Sequence, residues 1–164
     1  MLFRSFTVDA SGNWTYALNN DDPAVQKLGA NSSMTDTFTV TSGDGSQTQQ
    51  VTVTIHGTND VPVIAGSIAG SVTEETALET GGKLTSVDTD TGESNVFTAD
   101  AGQSTHGHFT VDASGNWTYA LNNDDPAVQK LGANGSMTDT FTVTSGDGSQ
   151  TQQVTVTING TNDK

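Results

Sequence analysis

Cysteine is absent from the sequence and basic residues are scarce, with 5 Lys and Arg against 19 Asp and Glu in 164 residues. Without cysteine the chain has no disulfide and no thiolate ligand for zinc or copper. The formal net charge of −14 disfavours nucleic acid and anionic membranes as partners, because their phosphates are bound mainly by Lys and Arg. A surface this acidic favours cations instead.

Apolar residues are also few. They make up 32% of the chain, whereas a typical globular domain has about 45–50%. No apolar run approaches the roughly 20 residues of a membrane-spanning helix, so we predict no direct membrane insertion. This composition is compatible with a disordered chain or with thin β-sheets around a small core. Apolar residues at every second position favour the β-sheets.

One passage of the sequence occurs twice. Residues 6–60 pair with residues 109–163 at an offset of 103, and only two of the 55 pairs differ: Ser32 with Gly135, and His56 with Asn159. Identity this high indicates a recent duplication. A period near 100 residues is typical of a whole β-sandwich domain in a tandem array.

The duplication predicts three segments. Residues 1–5 have no counterpart and form a non-repeat start, residues 6–60 are the C-terminal half of a truncated repeat, and residues 61–164 are one complete repeat. The truncated half lacks the strands that would face its inward Phe, Val, Trp and Tyr side chains. We therefore predict that residues 6–60 are poorly stable alone.

Within the complete repeat, alternating apolar residues and turn motifs predict an all-β, antiparallel β-sandwich of about seven strands. The predicted strands are Ile68–Thr73, Lys83–Val87, Asn95–Ala99, Phe109–Val111, Trp117–Leu121, Thr140–Val143 and Val154–Ile158. One short helix is predicted after Asp125, which would cap a helix that starts at Pro126 and stops at Gly132.

If consecutive strands reverse direction, the loops alternate between the two poles of the domain, and the acidic residues collect at those poles. The N-terminal pole holds the loops Asp88–Ser94, Asp112–Asn116 and Ser145–Ser149. The C-terminal pole holds Glu74, Glu75, Asp124, Asp125, Asn162 and Asp163. At the junction between repeats, the residues expected to converge are Asn20, Asp21, Asp22, Asn59, Asp60, Asp88 and Asp90.

Crowded carboxylates repel one another unless they are solvated or hold a cation. Calcium accepts six to eight oxygen ligands and tolerates irregular loops, so we predict Ca²⁺ at the poles and above all at the junction, where Pro62 restricts the linker. Ordinary solvated loops are the alternative interpretation.

Other motifs carry less weight. His106 and His108 would share one face of a strand, but two imidazoles without a third ligand are more often surface residues than a transition-metal site. Trp14, Tyr16, Trp117 and Tyr119 have the spacing of core residues, with a sugar-stacking surface as the minor alternative. No nucleophile elbow or phosphate-binding glycine loop occurs, so we predict that the protein is not an enzyme.

The stretches "GSVTEE", "LTSVDTDTG", "GHFTVDASGNWTYALNN", "DTFTVTSGDG" and "VTVTINGTND" resemble the VCBS repeat of large bacterial RTX-type adhesins, an immunoglobulin-like or cadherin-like module. The "GTNDVPV" junction and the Asp88-Thr-Asp90 element are similar to the calcium linkers of cadherins, which assigns ligand roles best to Asn59, Asp60, Asp88 and Asp90.

The resemblance implies a type I secreted, calcium-rigidified extender at the bacterial cell surface, in adhesion and biofilm formation. Its partners would be neighbouring repeats, and other domains of the parent protein would bind the distal ligand. A glycan- or protein-binding immunoglobulin-like module of a surface protein is the alternative.

Overall fold

The computed structural model describes residues 4–163. Residues 1–3 of the predicted non-repeat start, and Lys164, lie outside the described residues. Strands account for 51% of the chain and helix for 2%, which confirms the predicted all-β class. The chain forms two compact units. The first contains the residues up to Asp60 together with Thr89–Gly92, and the second contains Val61–Asp88 and the residues from Glu93 onward.

The first unit consists of two β-hairpins and a one-turn helix: β1 (Arg4–Val8), β2 (Trp14–Leu18), α1 (Pro23–Gln26), β3 (Ser33–Thr41) and β4 (Thr48–His56). Strand β1 pairs antiparallel with β2, and β3 pairs antiparallel with β4. Helix α1 begins at a proline, and the carboxylate of Asp22 caps it by accepting a hydrogen bond from the backbone N–H of Ala24 at 2.8 Å. Arg4, from the predicted non-repeat start, lies with its Nε 3.3 Å from Asp36.

The second unit contains eight strands: β5 (Val63–Gly66), β6 (Ala69–Thr73), β7 (Glu79–Val87), β8 (Asp100–Gln103), β9 (Gly107–Val111), β10 (Asn116–Leu121), β11 (Ser136–Thr144) and β12 (Thr151–Asn159). They form one sheet in the order β5-β7-β10-β9-β8 and a second in the order β11-β12-β6. The pairs are antiparallel except for β12 with β6, which is parallel.

The core of the second unit follows from the alternation of Thr with Val, Phe or Trp along its strands. Inward side chains of both sheets are buried, among them Leu84, Trp117, Phe141 and Val156. The Trp117 indole donates a hydrogen bond to the Ser67 carbonyl at 2.8 Å, which satisfies its polar atom inside the core.

The structure differs from the predicted elements in three places. Asn95–Ala99 is not a strand: Asn95 has a left-handed backbone (φ 57°), and Phe97 makes only an isolated bridge to Ser145. The strand of this region is β8, which begins only at Asp100. The second difference is β5, a strand that the sequence pattern did not predict. At Asp125-Pro126 the capping bond to Ala127 is present (2.8 Å), but the segment is a hydrogen-bonded turn, whereas the copy at Asp22-Pro23 forms α1.

Candidate metal centre

The loop after β7 is closed by its own polar side chains. The backbone N–H of Ser86 donates to Asn95 Oδ1 (3.1 Å), and the N–H of Asn95 donates back to Ser86 Oγ (2.9 Å). Closer to the tip of the loop, Ser94 Oγ accepts a hydrogen bond from the N–H of Asp88 and donates one to the carbonyl of Asp88. Gly92 supplies the left-handed turn at the tip, with φ 84°. The five residues between Asp88 and Ser94 must therefore fold back on themselves.

This folding brings three carboxylates together. Asp88, Asp90 and Glu93 each offer an oxygen, and these oxygens lie within 4.8 Å of one another. Asp90 is buried, and the other two are half-buried. We call these three residues the loop cluster. Anionic groups this close favour a bound cation, and hard carboxylate oxygens in a flexible loop are ligands that suit Ca²⁺.

Two residues of the loop, Asp90 and Thr91, belong to the first compact unit and form hydrogen bonds within it. The backbone N–H of Asp60 donates to Asp90 Oδ2 at 2.9 Å, and Asn59 Nδ2 donates to the Asp60 carbonyl at 2.8 Å. Thr91 holds the tip of the loop through bonds from its N–H and Oγ1 to the Lys27 carbonyl, both at 3.2 Å. Asp60 and Asp90, both expected at the junction, are therefore in direct contact.

The remaining residues predicted for the junction are arranged less closely. Asn20 and Asp60 line the same cavity of about 300 Å³, and the Asn20 carbonyl accepts a hydrogen bond from Gln26 Nε2 at 2.6 Å. Asp21 is exposed. Asp22 is buried, and its carboxylate caps α1. Of the adjacent acids Asp21 and Asp22, the second therefore uses its carboxylate to cap a helix.

At the other predicted pole, Glu74 is fully buried. Its Oε1 accepts a hydrogen bond from the backbone N–H of Thr161 at 2.7 Å, and its own N–H donates to the Asn159 carbonyl at 3.0 Å. Among residues 4–163, no group donates a hydrogen bond to Glu74 Oε2. A buried carboxylate oxygen without a donor is costly, so this atom favours a counter-charge.

Glu75 lies beside an open cleft. Its Oε1 accepts hydrogen bonds from Gln129 Nε2 (3.0 Å) and Asn123 Nδ2 (2.9 Å), and these bonds, that of Gln129 first, lower the pKa of Glu75. The cleft measures about 600 Å³, and Asn162 and Asp163 also line it. The structure therefore brings Glu75 and the C-terminal pair to one surface of the second unit.

Asp124 and Asp125 differ from each other although they are adjacent. Asp124 is exposed. Asp125 accepts from the N–H of Ala127 and from His106 Nδ1 (2.9 Å), and the His106 bond is the main cause that lowers the pKa of Asp125. One imidazole of the His106 and His108 pair is thus engaged with a carboxylate.

Glu93 belongs to the loop cluster, but the sequence interpretation did not select it. Its signal was present: Asp88, Asp90 and Glu93 have the spacing D-x-D-x-x-E within one loop that also contains a glycine.

Residues 59–160, more than half of the chain, match the family model of the bacterial cadherin-like domain. No curated protein gives a significant match. Among solved structures, the protocadherin gammaB7 EC3-6 cis-dimer is 16% identical with a TM-score of 0.44, and the match covers 99% of this chain and 39% of that one. Protocadherin gamma B2 extracellular cadherin domains 3-6 give the same identity, TM-score and 39% share, with 98% of this chain covered.

The chain thus spans about 39% of the length of these two solved chains. In the part of the chain that the structure describes, no helix has the length and apolar character needed to cross a membrane.

Proposed function

The chain belongs to the family of bacterial cadherin-like domains, and on that premise we propose that it is a calcium-rigidified extender of a secreted bacterial cell-surface adhesin. Cadherin-like domains are extracellular, non-enzymatic structural and adhesion modules that generally bind Ca²⁺. The finer assignment is to the VCBS repeats of RTX-type adhesins, with type I secretion and a role in biofilm formation. It draws on the motifs quoted above.

The observation that carries the proposal is the loop cluster and its contact with Asp60. Asp88, Asp90 and Glu93 would supply carboxylate oxygens to Ca²⁺, and Asn59 and Asp60 belong to the segment that leads from one repeat to the next. Because a cation bound there would neutralise the mutual repulsion of the acids, it would fix the loop and the linker together. Pro62, which is fully buried, restricts the linker backbone further.

The C-terminal pole would hold a second calcium site. Glu74 Oε2 is the strongest support, since it is buried and accepts no hydrogen bond among residues 4–163. Glu75, Asn162 and Asp163 line the adjoining cleft, and Asp124 and Asp125 are the remaining members of the predicted set. In this scheme each repeat presents acids to the repeat on either side.

The proposed domain organisation is a truncated repeat at 6–60 followed by a complete repeat at 61–164. The partners of each repeat would be neighbouring repeats of the same chain, and a distal ligand would be bound by other domains of the parent protein. A spacer acts through its length and stiffness. Nearly identical copies are therefore useful in such an array.

The test compares the 164-residue chain in Ca²⁺ and in chelator. Titration calorimetry should detect Ca²⁺ binding, and saturation at a hundredfold excess over Kd should add about 2.7 kcal/mol of stability for each site. Small-angle scattering should give a larger maximum dimension with Ca²⁺ than with chelator. If melting temperature and maximum dimension are both indifferent to Ca²⁺, the proposal is wrong.

A pair of variants assigns the effect to the loop cluster. Asp90→Asn removes one buried carboxylate and should weaken Ca²⁺ binding by at least about tenfold. Glu79→Gln makes the same change of charge at an exposed position on β7 and should bind Ca²⁺ as the unchanged chain does. Equal weakening by both variants would mean that net charge, and not the loop cluster, governs binding.

A glycan- or protein-binding module is the second candidate, and it draws on one observation. Trp14 exposes 46% of its surface, next to other exposed apolar residues of the first unit. Aromatic rings that stack on sugars must be accessible in this way. Retention of the chain on a glycan array, with loss of retention in Trp14→Ala, would favour this candidate.

A further inference from the structure

The two copies of the repeated passage have different surroundings. Four apolar residues of the first copy are exposed, by 41% for Phe6, 37% for Val8, 46% for Trp14 and 39% for Leu18. Their counterparts in the second copy are Phe109, which is half-buried, and Val111, Trp117 and Leu121, which are buried. Because the sequences match at these positions, the exposure arises from what covers each copy.

The internal geometry of the two copies is nearly the same. Phe6 stacks on Phe38 with ring centroids 4.4 Å apart, and Trp14 meets the same ring edge-on at 5.5 Å. In the second copy, Phe109 and Trp117 meet Phe141 at 4.7 and 5.5 Å in the same orientations. The first unit therefore holds its side chains in the arrangement that the second unit buries.

The second unit shows what covers this arrangement. Strand β7 pairs with β10, β8 pairs with β9, and β6 pairs in parallel with β12. All three covering strands come from one continuous stretch that ends at Gln103. Among residues 4–163, the corresponding strands β2, β1 and β4 of the first unit each have one partner and one open edge. Open edges beside an apolar face are a template for added strands.

The covering stretch has specific chemistry. The carbonyl of Ser67 accepts the Trp117 indole N–H at 2.8 Å. Gly70 and Gly82 make room for the ring, since a Cβ on either would lie 2.8 or 2.9 Å from its atoms. Leu84 is fully buried and lies on β7, in the same sheet as Trp117. A cover for Trp14 therefore needs two glycines, a carbonyl and an inward aliphatic residue at these spacings.

We propose that the exposed residues Phe6, Val8, Trp14 and Leu18, with the open edges of β1, β2 and β4, form an acceptor site for the first-half segment of another repeat. The segment has the chemistry of residues 61–103 and binds by adding strands to the three edges. It places its two glycines over Trp14. The acceptor site contains none of the acids of the loop cluster, although the donated segment, residues 61–103, carries all three of them. Binding is therefore measured both in Ca²⁺ and in chelator.

The test adds a synthetic peptide of residues 61–103 to the complete chain, in Ca²⁺ and in chelator. Trp14 should become buried, so its fluorescence should shift to the blue and saturate at one peptide per chain. Amide protection in β1, β2 and β4 should rise in hydrogen exchange. Trp14→Phe should abolish the fluorescence shift, since the remaining Trp117 is already buried.

Two peptide variants test the mode of binding without altering the chain. Leu84→Asp places a carboxylate where a fully buried residue belongs and should weaken binding by about 100-fold or more. Val87→Asp makes the same kind of change on the same strand at a residue that is 71% exposed, and should change Kd by less than about threefold.

Three results would overturn the proposal: equal affinity for both peptide variants, an unchanged blue shift in Trp14→Phe, or no shift and no added protection with the unmodified peptide. Sedimentation supplies a fourth. If the chain alone forms a dimer that protects Trp14, the acceptor site takes a whole second copy and not a donated segment.

Discussion

Trp14 and Trp117 allow one side chain to be compared in two environments within a single molecule. Replacing a buried Trp by Ala costs about 3–5 kcal/mol, because the lost burial is joined by a cavity. Trp117 is 1% exposed, so Trp117→Ala should cost the second unit this full amount. Typical domains have only about 5–15 kcal/mol of total stability. The second unit should therefore be severely weakened.

Trp14 has 46% of its surface exposed, so it contributes roughly half of the burial. Trp14→Ala should cost the first unit about 1.5–2.5 kcal/mol, including the lost edge contact with Phe38. Native-state hydrogen exchange read by mass spectrometry measures the two units separately, through peptides from β1–β4 and from β6–β12. A difference between the two losses below about 0.5 kcal/mol, or one of opposite sign, would refute the reasoning from burial.

Three further predictions concern the second unit. Gly82→Val should destabilise it by about 1–3 kcal/mol or more in urea unfolding, because the Cβ would lie 2.9 Å from the Trp117 ring; unchanged stability would contradict the packing. Burial raises the pKa of Asp139, but hydrogen bonds from Ser104, the His106 backbone and Tyr119 bring the pKa below its usual value. Its contribution to stability is therefore complete above about pH 4 and is lost as the pH falls through the folded pKa. Asp139→Asn should flatten this acid limb and cost about 1–3 kcal/mol at pH 7, and an unaltered pH profile would count against it. Glu74→Gln should raise the melting temperature in chelator, because it removes a buried charge, and should reduce the gain from Ca²⁺; calorimetry that shows no change in either condition would contradict the proposed second site.

Local pattern predicted the strands whose core residues alternate with Thr. This pattern predicted β9, β10, β11 and β12, because apolar residues at every second position identify the buried face of each strand. Strand β8 (Asp100–Gln103) has no such alternation and exists through its pairing with β9. Phe97 is a buried core residue that lies in a loop, so its apolar character was wrongly interpreted as part of a strand.

The parallel pairing of β6 with β12 depends on residues more than 80 positions apart, so no local pattern contains it. The candidate site also has one part that local spacing predicts and one part that it does not. The proximity of Asp88 to Asp90 follows from their spacing in one loop, whereas the bond from the Asp60 N–H to Asp90 depends on the folded chain. Asp22 shows a further limit, because an acid that precedes a proline serves equally as a helix cap and as a ligand.

The repeated passage also poses a problem of self-recognition during folding. The stretch that supplies β5–β8 lies between two sets of hairpins that differ at only two of 55 positions. Side-chain contacts alone hardly distinguish one set from the other, so the chain connections must decide which set the stretch covers. A short connection closes at a lower entropic cost than a long one, and the segment of three residues between β8 and β9 is the shorter route. In this molecule, sequence specifies what can pair, and connectivity selects which pairing is made.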